Sequence, residues 1–281
     1  MRRLILLFQS DDCQGIVAKV SAFVFHHGAN IISADQYSTD PEGGYFFLRM
    51  EFYIDEAQCS KEDLEIAFAP IAAEFNAQAV FHYKDTRLRM GICVSKPDHC
   101  LFDLLYLVSS GDLDVDVPLV VSNCENHRKL VDRFDIPFYY VPAGVDDRCE
   151  EEVLNLVKEK TDFLALARYM MVFSEDFLVG YGKDIINIHH SFLPSFKGAN
   201  PYQRAYDRGV KVIGATAHFV TASLDEGPII SQMVEAVTHR DSVDLLIRKG
   251  KNLEKRALSQ ALHEYTDYRV MKYKNRTIVF S

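Results

Sequence analysis

The residues best suited to chemistry in this chain are Asn187 and His189. They stand two apart in the run Asp184-Ile-Ile-Asn-Ile-His-His-Ser-Phe-Leu-Pro-Ser-Phe-Lys-Gly-Ala-Asn200. The apolar start of that run reads as a strand buried on both faces. Side chains alternate along a strand, so both residues point to the same side. One offers a neutral amide donor, the other an imidazole that takes or releases a proton near neutral pH. Pro194, Gly198 and Pro201 then turn the chain into an irregular loop, and ligands of open parallel sheets bind at the carboxyl ends of strands. A lone Asn-x-His would fit a buried strand that merely satisfies its loop. A second polar cluster, Thr216-Ala-His-Phe-Val-Thr-Ala-Ser-Leu-Asp-Glu-Gly-Pro228, tips the balance towards a site. It supplies Asp225, although Leu-Asp-Glu-Gly-Pro is good turn chemistry in its own right. His218 either supports Asp225 or His189, or is an ordinary buried histidine. These residues lack a helical His-x-x-x-His pair and tight ligand spacing, so neither a metal nor another cofactor is expected.

The elements that must position these groups fall into two sets. Residues 2–9 read as a strand. Asp11 and Asp12 are expected to cap a helix marked by Ile16, Val17, Val20, Phe23 and Val24 and ended by Gly28. Strands follow at 30–38 and 45–54 around the turn Asp40-Pro-Glu-Gly-Gly44. A helix capped by Ser60 runs to Phe75, and a strand spans 78–83. This is βαββαβ, the ferredoxin-like split motif. The polar Lys84-Asp-Thr-Arg87 sets the boundary, giving domains 1–84 and 85–281. From Leu88 strands and helices alternate, with strands expected at 88–94, 115–122, 138–140, 163–167, 185–189, 212–219 and 229–237. That pattern predicts an α/β, doubly wound, mostly parallel sheet of Rossmann-like type. A closing amphipathic helix is expected over 242–262.

Composition bounds the function. A chain of 281 residues holds two domains or one large one. Its net charge of −9 argues against nucleic acid as a partner. The opening Met1-Arg-Arg-Leu-Ile-Leu-Leu-Phe is too short and too soon charged for a signal peptide, and no stretch is long enough to span a bilayer. Six dispersed cysteines without a CxxC pair suggest a reducing cytoplasm.

Two resemblances extend this reading. Asp12-Cys-Gln-Gly-Ile-Val-Ala-Lys-Val-Ser21, with Gly28-Ala-Asn-Ile31, resembles the opening of an ACT domain. That resemblance implies an amino-acid effector site at Asp12, Gln14, Gly15 and Asn30, and association into a homo-oligomer, dimer or tetramer. Gly15 at a helix N-terminus could admit a carboxylate, or could only shape the turn. The stretches 187–202, 214–220 and 224–230 resemble the formyltransferase-fold enzymes that use 10-formyltetrahydrofolate, and within them the formyltetrahydrofolate deformylases. The resemblance covers nearly the whole chain. It implies that Asn187, His189 and Asp225 are catalytic. Folate contacts are implied for the segment 164–174, with Arg168, Met170 and Val172, and for Ser191 and Gly198.

The implied reaction is hydrolysis of 10-formyltetrahydrofolate to tetrahydrofolate and formate. It would feed formate to purine synthesis, balance one-carbon folate pools and, in some members, respond to methionine and glycine. The chemistry suits these residues: donors steady the oxyanion, and a carboxylate orients the imidazole and accepts the water's proton. Burial beside the folate is expected to raise the Asp225 carboxyl. The turn Ser95-Lys-Pro-Asp-His-Cys100 has no glycine with which to cradle a phosphate, and His190 stands where the related transferase carries proline, so water is the expected acceptor. Two alternatives stay open: a formyltransferase with an amine acceptor, and a non-catalytic folate or amino-acid sensor.

Overall fold

A computed structural model of the chain describes residues 1–40, 42–55, 59–142, 148–194 and 201–280. The chain divides into two compact units. The first comprises Met1–Arg87, Asp267–Met271 and Ile278–Ser281, and the second Leu88–Thr266 and Lys272–Thr277.

In the first unit β1 (Arg2–Asp11), α1 (Ile16–His26), β2 (Asn30–Ser38), β3 (Tyr45–Ile54), α2 (Lys61–Glu74) and β4 (Gln78–Tyr83) follow in order. Their antiparallel sheet has the order β2-β3-β1-β4. Period-two alternation turns Leu4, Leu6, Phe8, Leu48, Met50 and Phe52 towards one face, where they pack with Val20, Phe23, Leu64 and Phe68 of the helices. Phe68 meets Phe8, Phe23 and Phe81 edge to face, the arrangement ring quadrupoles favour. Arg49, 2% exposed, donates to the carbonyls of Asp267 and Tyr268 and to Glu51. These bonds explain why the chain's tail returns to this unit, which no local pattern foretold. Ser60 caps α2 with Asp63 in a reciprocal capping box. The expected carboxylate cap of α1 is absent: Gly15 is the N-cap, with φ 92°, and Asp12 accepts instead from Ser38 Oγ.

The second unit contains β5 (Leu88–Val94), α3 (His99–Ser110), β6 (Val115–Ser122), α4 (Arg128–Val131), β7 (Phe138–Tyr140), α5 (Arg148–Val157), β8 (Phe163–Leu166), α6 (Glu175–Tyr181), β9 (Ile185–His189), α7 (Pro201–Arg208), β10 (Val212–Phe219), β11 (Ile229–Ala236) and α8 (Val243–Thr266). The sheet order is β11-β10-β9-β8-β5-β6-β7. β7, β6, β5, β8 and β9 are parallel; β10 and β11 join antiparallel. The strand order reverses between β5 and β8, which opens the crevice where doubly wound sheets bind ligands. Cys93, Leu119, Val121, Leu164 and Leu166 cluster with Val153 and Val157 of α5 and Phe177 and Tyr181 of α6. α8 packs on β9, β10 and β11. It runs four residues beyond the expected end. The hairpin strands β12 (Val270–Tyr273) and β13 (Arg276–Val279) after it were not anticipated, because they are mostly half-buried or exposed and mix charged with apolar residues, leaving no buried run to read.

Candidate active site

Strand register assembles the site. β9 carries Asn187 and His189, and its antiparallel neighbour places His218 opposite Asn187 and Thr216 opposite His189. The loop after His189 is held from below. Thr216 Oγ1 donates to the Ser191 carbonyl and accepts from the Leu193 N–H, while Gln232 Nε2 donates to the Leu193 carbonyl.

Asp225 arrives from the turn after β10 with φ 55°, a left-handed conformation that aspartate tolerates. That turn folds back tightly: Phe219 N–H donates to the Pro228 carbonyl at 2.9 Å. A Cβ on Gly227 would lie 1.8 Å from the Phe219 carbonyl oxygen, so only glycine fits there.

The result is a buried polar set. His189 Nδ1 lies 3.2 Å from Asp225 Oδ2, with the two side chains 8% and 16% exposed. His189 Nε2 is buried without a hydrogen-bond partner. His218 Nδ1–H donates to the Phe219 carbonyl at 2.9 Å, which leaves Nε2 as the acceptor of the Asn187 amide at 3.2 Å. Asn187 therefore keeps its second N–H for another acceptor. His218 Nε2 also sits 3.7 Å from Asp225 Oδ1, beyond hydrogen-bond reach.

The bond to His189 and, after it, the neighbourhood of His218 hold the Asp225 carboxyl well below the usual range, overriding burial. These partners pull the carboxyl the opposite way from the rise expected of burial beside folate, because a partnered carboxylate is favoured in its charged form.

The set opens onto a cavity of about 380 Å³. Arg168, Met170 and Val172 line it together with Asn187, His189, His190, His218 and Asp225. Two details qualify the expected folate contacts. The Met170 N–H is already taken by Ser95 Oγ at 2.9 Å. Phe173 is core, stacked on Phe177 at 3.8 Å. Ser191 is buried and lies off this cavity, its carbonyl turned to Thr216. Gly198 lies outside the described residues.

In the first unit Asp12 and Gly15 line an open depression with Gln36, Tyr37 and Ser38. Gln14 is exposed and not part of it. Asn30 lies apart from this depression. It pairs with Tyr53 at the start of β2, whereas Ser38 ends that strand, eight residues and roughly 26 Å further along.

Sequence reasoning missed Glu254. Its carboxylate, 2% exposed, accepts from His99 Nε2 at 2.8 Å and Tyr202 Oη at 2.9 Å and lies 3.2 Å from Arg168 Nε. The signal was available: Glu254 falls on the buried stripe of α8 among Leu246, Gly250, Leu253 and Ala257. Gly250 clears the space, since a Cβ there would lie 1.9 Å from Tyr202 Oη. Among the described residues, His99, Cys100 and Glu254 bring donor atoms within 4.8 Å of one another. With Arg168 beside it and its oxygens occupied, Glu254 is the centre of a salt-bridge cluster there.

Fold and site together define a class. Residues 88–262 match the family described as "Formyl transferase". The chain is 47% identical over 279 residues to a formyltetrahydrofolate deformylase of Bacillus subtilis (strain 168), covering 98% of this chain and 93% of that protein. It superposes on the crystal structure of a formyltetrahydrofolate deformylase from Pseudomonas syringae pv. tomato with a TM-score of 0.94 and 40% identity, covering 100% of this chain and 95% of that one. A glycinamide ribonucleotide transformylase from Symbiobacterium toebii gives a TM-score of 0.66 at 26% identity, covering 71% of this chain and 97% of that one. The chain belongs to the formyl transferase family and, within it, to the formyltetrahydrofolate deformylases.

Proposed function

We infer that this chain hydrolyses 10-formyltetrahydrofolate to tetrahydrofolate and formate. The observation that carries the site assignment is the unpartnered, buried His189 Nε2, backed on its other nitrogen by Asp225 and placed in the cavity wall with Asn187. Near full-length likeness to deformylases supports the hydrolytic outcome over amine transfer.

In this reading the formyl oxygen accepts from the second Asn187 N–H and from His189 Nε2–H. Water adds to the formyl carbon and its proton passes to Asp225 as the new C–O bond forms. A carboxylate held this low is a weak base, so its first duty is to orient His189 and balance the imidazolium charge. The C–N10 bond then breaks as N10 takes the Nε2 proton of His189, and the proton on Asp225 passes through solvent to restore that nitrogen. Formic acid leaves and ionises.

We propose that these side chains carry the reaction without a metal or other cofactor, His189 Nδ1 being held by Asp225 and both His218 nitrogens by the Phe219 carbonyl and Asn187. We assign the first unit to an ACT-like regulatory role, its Asp12–Gly15 depression taking an amino-acid effector, and the chain to a cytoplasmic homo-oligomer that supplies formate for purine synthesis. Among the described residues no helix is long and apolar enough to cross a membrane.

The test is formate release from 10-formyltetrahydrofolate without any amine, with and without a chelator, and with methionine or glycine added. Release that persists with chelator is expected, and Asp225→Ala should reduce kcat by about 10³-fold while the far-ultraviolet spectrum is kept. Absence of formate without an amine would identify a transferase; near wild-type turnover in the variant would remove Asp225 from the mechanism.

A further inference from the structure

Among the described residues, His190 is the imidazole in the cavity wall that the hydrolysis does not use. Its ring stacks on His189 with centroids 4.8 Å apart and planes 23° apart. Two adjacent imidazoles compete for one proton unless something tells them apart. Arg168 does. Its Nη1 lies 2.7 Å from His190 Nδ1, and a guanidinium can only donate. Nδ1 is therefore the acceptor, and the ring proton must sit on Nε2. Protonating Nδ1 would set two donors and two like charges face to face.

Arg168 is itself held. It has φ 65°, uncommon outside glycine, and a side chain only 15% exposed. Behind it stands Glu254, whose oxygens are completed by His99 and Tyr202. Glu254 balances the buried cation, although the Arg168 Nε–H is not well aligned on it.

We propose that Arg168 and Glu254 are positioning residues for the hydrolysis: they lock His190 as a neutral Nε2–H ring stacked on His189, so that His189 alone carries the reaction's proton. The proposal rests on the hydrolytic reading above. The charged and titratable groups around His190 are Arg168 after β8, His189 on β9, Asp225 after β10, Tyr202 on α7 and Glu254 on α8. Burial and the Arg168 charge both push the His190 ring down, to about 4, in the direction the geometry requires.

The experiment pairs histidine ¹⁵N spectra of the full chain with kcat against pH. His190 is assigned by comparison with His190→Gln. The variants are Arg168→Lys and the double variant Arg168→Met with Glu254→Gln, which removes both charges and leaves neither buried alone. In the wild type His190 should keep the Nε2–H tautomer signature and show no titration between about pH 5 and 8. In the double variant it should titrate within that range. There kcat at about pH 6 should fall by roughly ten-fold and recover above about pH 8, with KM little changed. Arg168→Lys, which still donates, should restore part of the loss. A wild-type His190 that titrates near neutrality or carries its proton on Nδ1 overturns the proposal, whether or not the double variant folds. So does a double variant whose pH profile matches the wild type. Should no form release formate, the hydrolytic reading fails while the tautomer result still reports on the lock.

Discussion

At the scale of single residues, the site depends on which nitrogen and which amide hydrogen face the cavity. His218 matters because its own proton is committed to the Phe219 carbonyl, which turns the nitrogen of the Asn187 amide towards it. Asn187→Ala should lower kcat by about 10²–10³-fold, the typical loss of one oxyanion donor. His218→Ala should cost less, on the order of ten-fold, and add little on top of Asn187→Ala, because its effect passes through that amide. A double-mutant cycle on kcat measures this, and full additivity would assign His218 to Asp225 instead. Asn187, His189 and Asp225 were legible as residue types with the right chemistry. Glu254 was legible only as an oddity on an apolar stripe.

At the scale of elements, the site is a strand, its antiparallel neighbour and the turn that closes them. The turn is possible because Gly227 has no side chain to meet the Phe219 carbonyl. Gly227→Ala should displace Asp225 from His189, reducing formate release by at least about ten-fold and destabilising the second unit by roughly 1–3 kcal/mol. Urea denaturation and the formate assay together check this; an unaffected kcat would show that the turn can shift without moving the carboxylate. The alternation of strands and helices in the second unit could be read from its hydrophobic runs, since inner strands such as β5, β8 and β9 are apolar and largely buried. The α1 cap could not. Asp11 and Asp12 have the right chemistry, but the chain turns at Gly15 and Ser38 draws Asp12 to β2.

At the scale of the whole molecule, each unit buries a histidine in its neutral form. In the first, burial foremost and then the Lys61 charge push His82, stacked on Tyr268 at 4.1 Å, from 6.5 down to about 4. In the second, His190 is likewise depressed to about 4. A histidine whose folded value lies below its unfolded one binds its proton more readily when unfolded. Its contribution is thus complete above about pH 6.5 and lost as pH falls towards about 4, on the order of 3 kcal/mol for each ring. Asp225, depressed in the other charge sense, adds a further loss only below the ordinary carboxylate range. Urea midpoints should therefore fall steadily between about pH 7 and 4.5, and His82→Phe should flatten the slope of the first unit. A midpoint independent of pH over that interval would mean that both rings charge without cost.

By itself, the amino-acid sequence determined the local elements, the doubly wound pattern of the second unit and the placing of Asn187 and His189 on one face of one strand. Those features follow from neighbours a few residues apart, whose spacing carries the signal. Only the tertiary structure decided that Asp225 turns back onto His189, that Arg168 and Glu254 meet behind His190, and that Asp267 and Tyr268 return to Arg49. Such contacts join residues dozens to hundreds of positions apart. They are set by strand register and loop closure, which no local periodicity encodes.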